Sequence, residues 1–244
     1  MQISDFKVLS FDCYGTLIDW ESGMVAALKP LTDRVEPELT RNQILEAHAF
    51  HESSQQAQTP TRLYRELLAI VFKRLAEQWG VHVTHEDCVA YGRSVGDWPV
   101  FPDTVEALTY LKQHFRLVIL SNVDNESFAA SNARLGVAFD AVVTAEDVGA
   151  YKPALANFEH LLARLDRGLG GAPLGRKDIL HVAESLYHDH KPANAVELAS
   201  CWIYRRHEDE GFGATMNPGE MPRFDFRFNS MAEMADAHRQ AVEG

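Results

Sequence analysis

Cysteine is scarce in this chain: Cys13, Cys88 and Cys201 stand alone among 244 residues. Their spacing matches no metal-ligand pattern, and an odd number leaves one thiol over in any disulfide scheme. Reduced cysteines in a cytoplasmic protein are therefore the expectation. Positive charge is also short, with 23 Lys and Arg against 35 Asp and Glu for a net charge of -12, and no basic run or basic helix face stands out. Nucleic acid and anionic membrane surfaces are thus poor partners. No apolar run is long enough to span a bilayer, and no signal core precedes Phe6. Internal repeats are absent too.

What is present is enough apolar residue, 46%, and enough length to bury a core with room for an inserted unit. Near the start, Val8-Leu9-Ser10-Phe11 reads as a short buried strand that delivers Asp12 into a turn holding Gly15 and Thr16. An Asp in that place often just caps a turn. At the carboxyl end of a parallel strand it also stands where α/β proteins build their sites.

Residues 19–99 read as helical. The strongest pattern spans residues 61–79, where Tyr64, Leu68, Val71, Phe72, Leu75 and Trp79 share a stripe and Gly80 ends the helix. Further helices are expected over 23–31, 40–51 and 85–92, with residues 53–60 as a polar connection. Trp20, Phe50, His51 and Trp98 are candidate wall residues for a site, although ordinary packing is the better account of each.

Strands and helices alternate from Phe101 onward. Asp103 and Glu106 suggest a capping box, and Leu117-Val118-Ile119-Leu120 forms a second strand ending in Ser121-Asn122. A third strand at 141–143 precedes Tyr151-Lys152-Pro153, where Pro153 suits a first helical turn. A fourth, 178–183, runs into Glu184-Ser185-Leu186-Tyr187-His188-Asp189-His190. The run Cys201-Trp202-Ile203-Tyr204 gives a fifth strand, residues 224–228 a short edge strand, and Ser230 a cap for the last helix. The fold class is α/β, with a Rossmann-like parallel sheet flanked by helices and its site at the strand carboxyl ends. His181, His188 and His190 form no zinc pattern with the cysteines and are expected to satisfy local hydrogen bonds.

Asp12-Cys13-Tyr14-Gly15-Thr16-Leu17, Ser121-Asn122, Lys152 and the 183–189 segment fall in the order of the four motifs of the haloacid dehalogenase superfamily, which the chain resembles over nearly its whole length. Phosphatases of that superfamily carry a second Asp where this chain has Tyr14, so the resemblance is to the type II 2-haloacid dehalogenase branch. It implies residues 1–18 and 100–244 as the core and 19–99 as a helical cap. It implies Asp12 as nucleophile toward a carbon beside a carboxylate, and Lys152 to keep that nucleophile ionised. Asp189 is implied as activator of the hydrolytic water, although the dehalogenase acid aligns with either His188 or Asp189. Glu184 is left to orient groups or donate a proton. Tyr14, Thr16, Ser121, Asn122 and Ser185 are the implied substrate contacts. Branch members work without a metal, so no cofactor is expected, and Mg²⁺ would enter only for a phosphatase. A homodimer is the expectation by analogy.

The departure within that branch lies at residues 47–60, where the dehalogenases' Arg for the departing halide has no counterpart. Residues 12–23, 183–193, 204–206 and 211–215 instead resemble the branch members that hydrolyse (S)-azetidine-2-carboxylate to 4-amino-2-hydroxybutyrate. Ring opening of a small carboxylate is therefore the expected reaction, with halide release from an (S)-2-haloacid as the alternative and phosphate release after it.

Overall fold

The computed structural model describes residues 1–243. Six strands, β1 (Val8–Phe11), β2 (Arg116–Ser121), β3 (Ala141–Thr144), β4 (Ile179–Ala183), β5 (Ala199–Ile203) and β6 (Phe226–Phe228), form one sheet in the order β3-β2-β1-β4-β5-β6. Every pairing is parallel. β1 lies between β2 and β4, with Phe11 opposite Ile119 on one side and Val182 on the other. All four β1 residues are buried, as a central parallel strand requires.

Strand periodicity divides the interior. Leu9, Phe11, Leu117 and Ile119 face one apolar cluster, while Val8, Val118 and Leu120 face the other. Helices α5 (Thr104–Leu111), α6 (Asn125–Leu135) and α10 (Met231–Glu243) fill the first cluster through residues such as Leu108, Phe128 and Met234. α8 (Leu155–Asp166) and α9 (Lys191–Ala195) close the second with Phe158, Leu161 and Ala193. The short α7 (Ala145–Val148) follows β3.

Between β1 and β2 stand α1 (Trp20–Thr32), α2 (Arg41–Gln58), α3 (Tyr64–Gln78) and α4 (His85–Arg93), packed in succession. Asp19 caps α1 by accepting the Ser22 N–H at 3.1 Å. Gly80, with φ of +67°, follows Trp79 at the end of α3, the left-handed stop its sequence called for.

Three local expectations are corrected. The 53–60 segment is not a connection: α2 continues to Gln58 and buries Gln55 and Gln56. Glutamine and alanine are good helix formers, and Thr40 and Gln43 close a capping box at the other end. Asp103 makes no capping box with Glu106; its carboxylate instead accepts Arg205 Nη1 at 2.8 Å and the Ala232 N–H at 3.1 Å, stronger partners supplied by distant chain. Pro153 lies ahead of its helix, since α8 opens at Leu155 with Ala154 as N-cap.

Candidate active site

Asp12 follows β1 directly, and the chain turns at Gly15, whose φ is +93°. A Cβ there would stand 2.9 Å from Trp20 Nε1, so glycine serves both the turn and the close approach of α1. Thr16 Oγ1 donates to Asp12 Oδ2 at 3.0 Å and accepts the Glu184 N–H at 2.9 Å, which ties the loop after β1 to the end of β4.

Lys152 arrives from beyond β3, 1% exposed. Its Nζ donates to Asp12 Oδ1 at 2.8 Å, Asp189 Oδ1 at 2.6 Å and the Leu120 carbonyl at 2.9 Å, using all three ammonium hydrogens. Asn122 fixes the lysine's backbone by donating to its carbonyl at 3.0 Å and accepting its N–H at 2.6 Å. Burial opposes the lysine's charge, but Asp12 and Asp189 outweigh it and raise its pKa. Burial pushes the Asp12 carboxyl above the usual range, with Lys152 and Thr16 pulling against it. Asp189 goes the other way: Lys152 and His181 overcome its burial and hold it well below the ordinary carboxylate value.

His181, on β4, bridges Ser10 Oγ at 3.0 Å and Asp189 Oδ1 at 2.9 Å. An ionised Asp189 accepts both the lysine and the imidazole on one oxygen. Its other oxygen, Oδ2, is buried with no hydrogen-bond partner among the described residues, and Ser121 Oγ is in the same state. Both residues line a small cavity of about 30 Å³ together with Asp12, Tyr14, Trp20, Glu52, Gln56, Tyr64, Asn122, Val123, Lys152, Ser185 and His188. A second cavity of about 230 Å³ shares Gln56, Lys152 and His188 with it. The larger groove of about 760 Å³ along α3 and α4 holds none of the motif residues.

The sequence-selected residues thus gather unevenly. Asp12, Lys152, Asp189, Ser121 and Thr16 converge. Tyr14 presents its ring to the cavity while its hydroxyl pairs with Ser131 Oγ at 2.7 Å. Ser185 lines the cavity with its Oγ against Thr215 Oγ1 at 2.8 Å. Glu184 does not line it. Burial and the nearby Glu21 carboxylate push its pKa up to about 8, with Arg206 working in the opposite direction. Of the wall candidates, only Trp20 lines the cavity: Phe50 is 64% exposed, His51 meets Gln78 at 2.6 Å, and Trp98 packs edge-on against Tyr14. Cys13 is wholly buried and its thiol is pushed far up by burial. His190 does satisfy local partners, at Ser200 Oγ and the Ala183 carbonyl, both at 3.0 Å.

Sequence reasoning missed His181, Glu52, Gln56 and Tyr64. A signal existed for two of them, since His48, Glu52 and Gln56 recur every four residues and put polar groups on one face of α2.

The 204–215 stretch reaches the site's surroundings through Thr215, which pairs with Ser185. Arg206 Nη1 donates to Glu21 Oε2, and Glu21 Oε1 accepts the Ala214 N–H at 3.0 Å. Gly213, at φ of +58°, packs so closely there that a Cβ would stand 1.9 Å from Glu21 Oε1. This joins the loop after β5 to the first turn of α1.

A divalent cation does not fit these residues. The place between Asp12 and Asp189 is taken by the Lys152 ammonium, and Glu184 stands off the cavity. No group of three or more His, Cys, Asp or Glu that could hold a metal occurs among the described residues. Nor is any helix among them long and apolar enough to cross a membrane.

Solved structures share this architecture. L-2-haloacid dehalogenase PA0810 superposes with a TM-score of 0.76 at 21% identity, covering 97% of this chain and 99% of that one. The defluorinating L-2-haloacid dehalogenase Rha0230 gives 0.76 at 17%, covering 98% of each. The L-2-haloacid dehalogenase of Xanthobacter autotrophicus with chloropropionic acid covalently bound gives 0.76 at 16%, covering 96% and 98%. At these identities the likeness is one of fold. No curated protein matches by sequence. The model of the haloacid dehalogenase-like hydrolases, however, matches residues 6–183, well over half of the chain, and takes in Asp12, Ser121 and Lys152. With that match and this sheet, the chain belongs to the haloacid dehalogenase-like hydrolase family.

Proposed function

We propose that this hydrolase displaces a group from C2 of a small carboxylate through an ester on Asp12, and that its substrate is (S)-azetidine-2-carboxylate, opened to 4-amino-2-hydroxybutyrate. The observation that carries the reading is one buried ammonium, Lys152, shared between the carboxylates of Asp12 and Asp189 beside two unpartnered oxygens. Lys152 and Thr16 hold the Asp12 carboxylate in place for attack. Ser121 Oγ is free to donate to the substrate carboxylate. After the ester forms, Asp189 Oδ2 is free to take a proton from water attacking the Asp12 acyl carbon, while Oδ1 stays fixed by Lys152 and His181.

Residues 19–99 act as a cap in this scheme, excluding water until the ester has formed. The cavity offers only about 30 Å³, so seating a substrate there needs its walls to part. The ring-opening choice draws on the resemblance of residues 12–23, 183–193, 204–206 and 211–215 to enzymes of that reaction. Those stretches meet one another through Arg206, Glu21, Ser185 and Thr215. No cofactor takes part.

A second reading, halide release from an (S)-2-haloacid, is favoured by the fold likeness to L-2-haloacid dehalogenases over nearly the whole of both chains. Against it, the α2 and α3 residues lining the cavity are Glu52, Gln56 and Tyr64, none a cation suited to a departing halide. Incubating chelator-treated protein with (S)-azetidine-2-carboxylate and, separately, with (S)-2-chloropropionate decides between the two. Proton NMR signals of 4-amino-2-hydroxybutyrate support ring opening; chloride release with azetidine untouched rejects it.

A further inference from the structure

A carboxyl group with no part in the steps above lines the same cavity. Glu52, on α2, is 6% exposed. Its Oε1 accepts Tyr64 Oη at 2.8 Å and Gln56 Nε2 at 3.1 Å, which fixes the side chain from α3 and from its own helix. Its Oε2 receives no hydrogen bond among the described residues; the nearest basic atom is His48 Nδ1 at 3.5 Å. Burial holds His48 down to about 3, so that ring is uncharged at neutral pH. The other ionisable groups whose fields reach Glu52 are Tyr64, Tyr91 of α4 and Tyr151, all raised by burial and none a cation. Glu52 is thus a buried acid without a counter-ion, pushed up to about 7 by desolvation.

Charge around the whole cavity points the same way. Its lining carries three acids, Asp12, Glu52 and Asp189, against one ammonium, Lys152; His188, held down to about 4 by burial, adds no charge. A 2-haloacid would bring a further negative charge into this surplus. A substrate carrying both a carboxylate and an ammonium adds none, and its ammonium offers the cation that Glu52 lacks.

We infer that Glu52, held by Tyr64 and Gln56, is the acceptor for an ammonium on the substrate, so that the site selects a zwitterionic 2-amino-substituted carboxylate over its uncharged-ring counterpart. The inference rests on the displacement at C2 proposed above and names the residue that reads the nitrogen. In that step an Asp12 oxygen bonds to C2 as the C2–N bond breaks, and the bonding pair stays on nitrogen. The ring NH2⁺ becomes a neutral primary amine within the ester. Water then rebuilds the Asp12 carboxylate and leaves the 2-hydroxyl, and the proton it releases balances the one the amine takes up.

The test pairs azetidine-2-carboxylate with cyclobutanecarboxylate, which keeps ring size and carboxylate but has carbon in place of nitrogen. Calorimetric binding is measured on Asp12→Asn protein, which cannot form the ester, with and without Glu52→Gln. The expected result is at least ~10-fold tighter binding of the azetidine, with that preference lost in the double variant, as for an ion pair withdrawn from a buried carboxylate. Equal affinities for the two ligands in Asp12→Asn, a preference that survives Glu52→Gln, or binding of neither ligand overturns the inference. The first comparison needs no change at Glu52, so it holds even if Glu52→Gln fails to fold. Turnover separates the two claims. Ring opening by wild type at a rate unaffected by Glu52→Gln rejects the role of Glu52 alone; the predicted binding pattern with no ring opening rejects the proposed substrate and leaves amine recognition standing.

Discussion

Lys152 Nζ lies 2.8 Å from Asp12 Oδ1, two side chains 140 positions apart in the chain, one following β1 and the other arriving from beyond β3 on the far side of β2. Replacing Lys152 with Met leaves Asp12 and Asp189 facing each other in a buried site with no cation between them. One carboxyl then takes a proton, and kcat is expected to fall by about 10³-fold, typical of losing a buried charge-stabilising donor. Lys152→Arg is not expected to rescue, because the guanidinium fork cannot reproduce three bonds converging on one nitrogen. Steady-state kinetics on the two variants checks this.

Asp189→Asn removes the oxygen assigned to the hydrolytic water but leaves Asp12 in place. The ester is expected to accumulate, with a burst followed by turnover slowed about 10²- to 10⁴-fold. Intact-protein mass spectrometry reads the outcome. A ring-opened adduct adds the whole mass of the substrate because the nitrogen stays attached, whereas a haloacid adduct is lighter than its substrate by the hydrogen halide.

Stereochemistry follows from the same scheme. Displacement inverts C2, and attack of water on the Asp12 acyl carbon does not touch it again. The (S) ring is therefore expected to give (R)-4-amino-2-hydroxybutyrate, as chiral chromatography would show; a racemic product argues against displacement by a positioned carboxylate.

Much of this was legible in the chain. The buried strands and the turn at Asp12 are short-range patterns, and Ser121, Lys152 and Asp189 could be ordered by motif. Long-range polar contacts were not legible. Asp103 looked like a local cap until Arg205 claimed it, and the motif that selected Glu184 gave no sign that Glu21 and Arg206 stand near it as well as Asp12. Glu52 was passed over, despite its spacing of four from His48 and Gln56, because residues 53–60 read as a connection, whereas the helix runs on to Gln58 and turns that face inward.

Stability is expected to fall as pH rises from 6.5 to 8. Glu52 and Glu184 are raised from 4.5 to about 7 and about 8, so the folded chain holds protons that the unfolded chain has already released. Stability is lost through that window, on the order of 3 kcal/mol for such shifts. His48, His188 and His190 are lowered from 6.5 to about 3, 4 and 4, and they remove stability only as pH falls below 6.5. Melting temperatures of wild type and Glu184→Gln across this range check the sign: the variant's curve is expected to be flatter.

Arg206→Ala strips the buried partner from Glu21 at the junction of α1 and the 211–215 loop. Arg41 Nη2 stays 3.6 Å from the same Glu21 oxygen, so the expected loss is about 1–3 kcal/mol rather than the full cost of an unpaired buried charge. Denaturant unfolding measures it, and a change below about 0.5 kcal/mol would show that this contact does little to hold the loop to α1.

The central claim is that Asp12 itself bonds to substrate carbon. A single turnover in ¹⁸O-labelled water, followed by peptide mass analysis, tests it most directly. The account predicts one heavy oxygen in the Asp12 carboxylate and none in the product's 2-hydroxyl; label in the product alone, with Asp12 unlabelled, contradicts it.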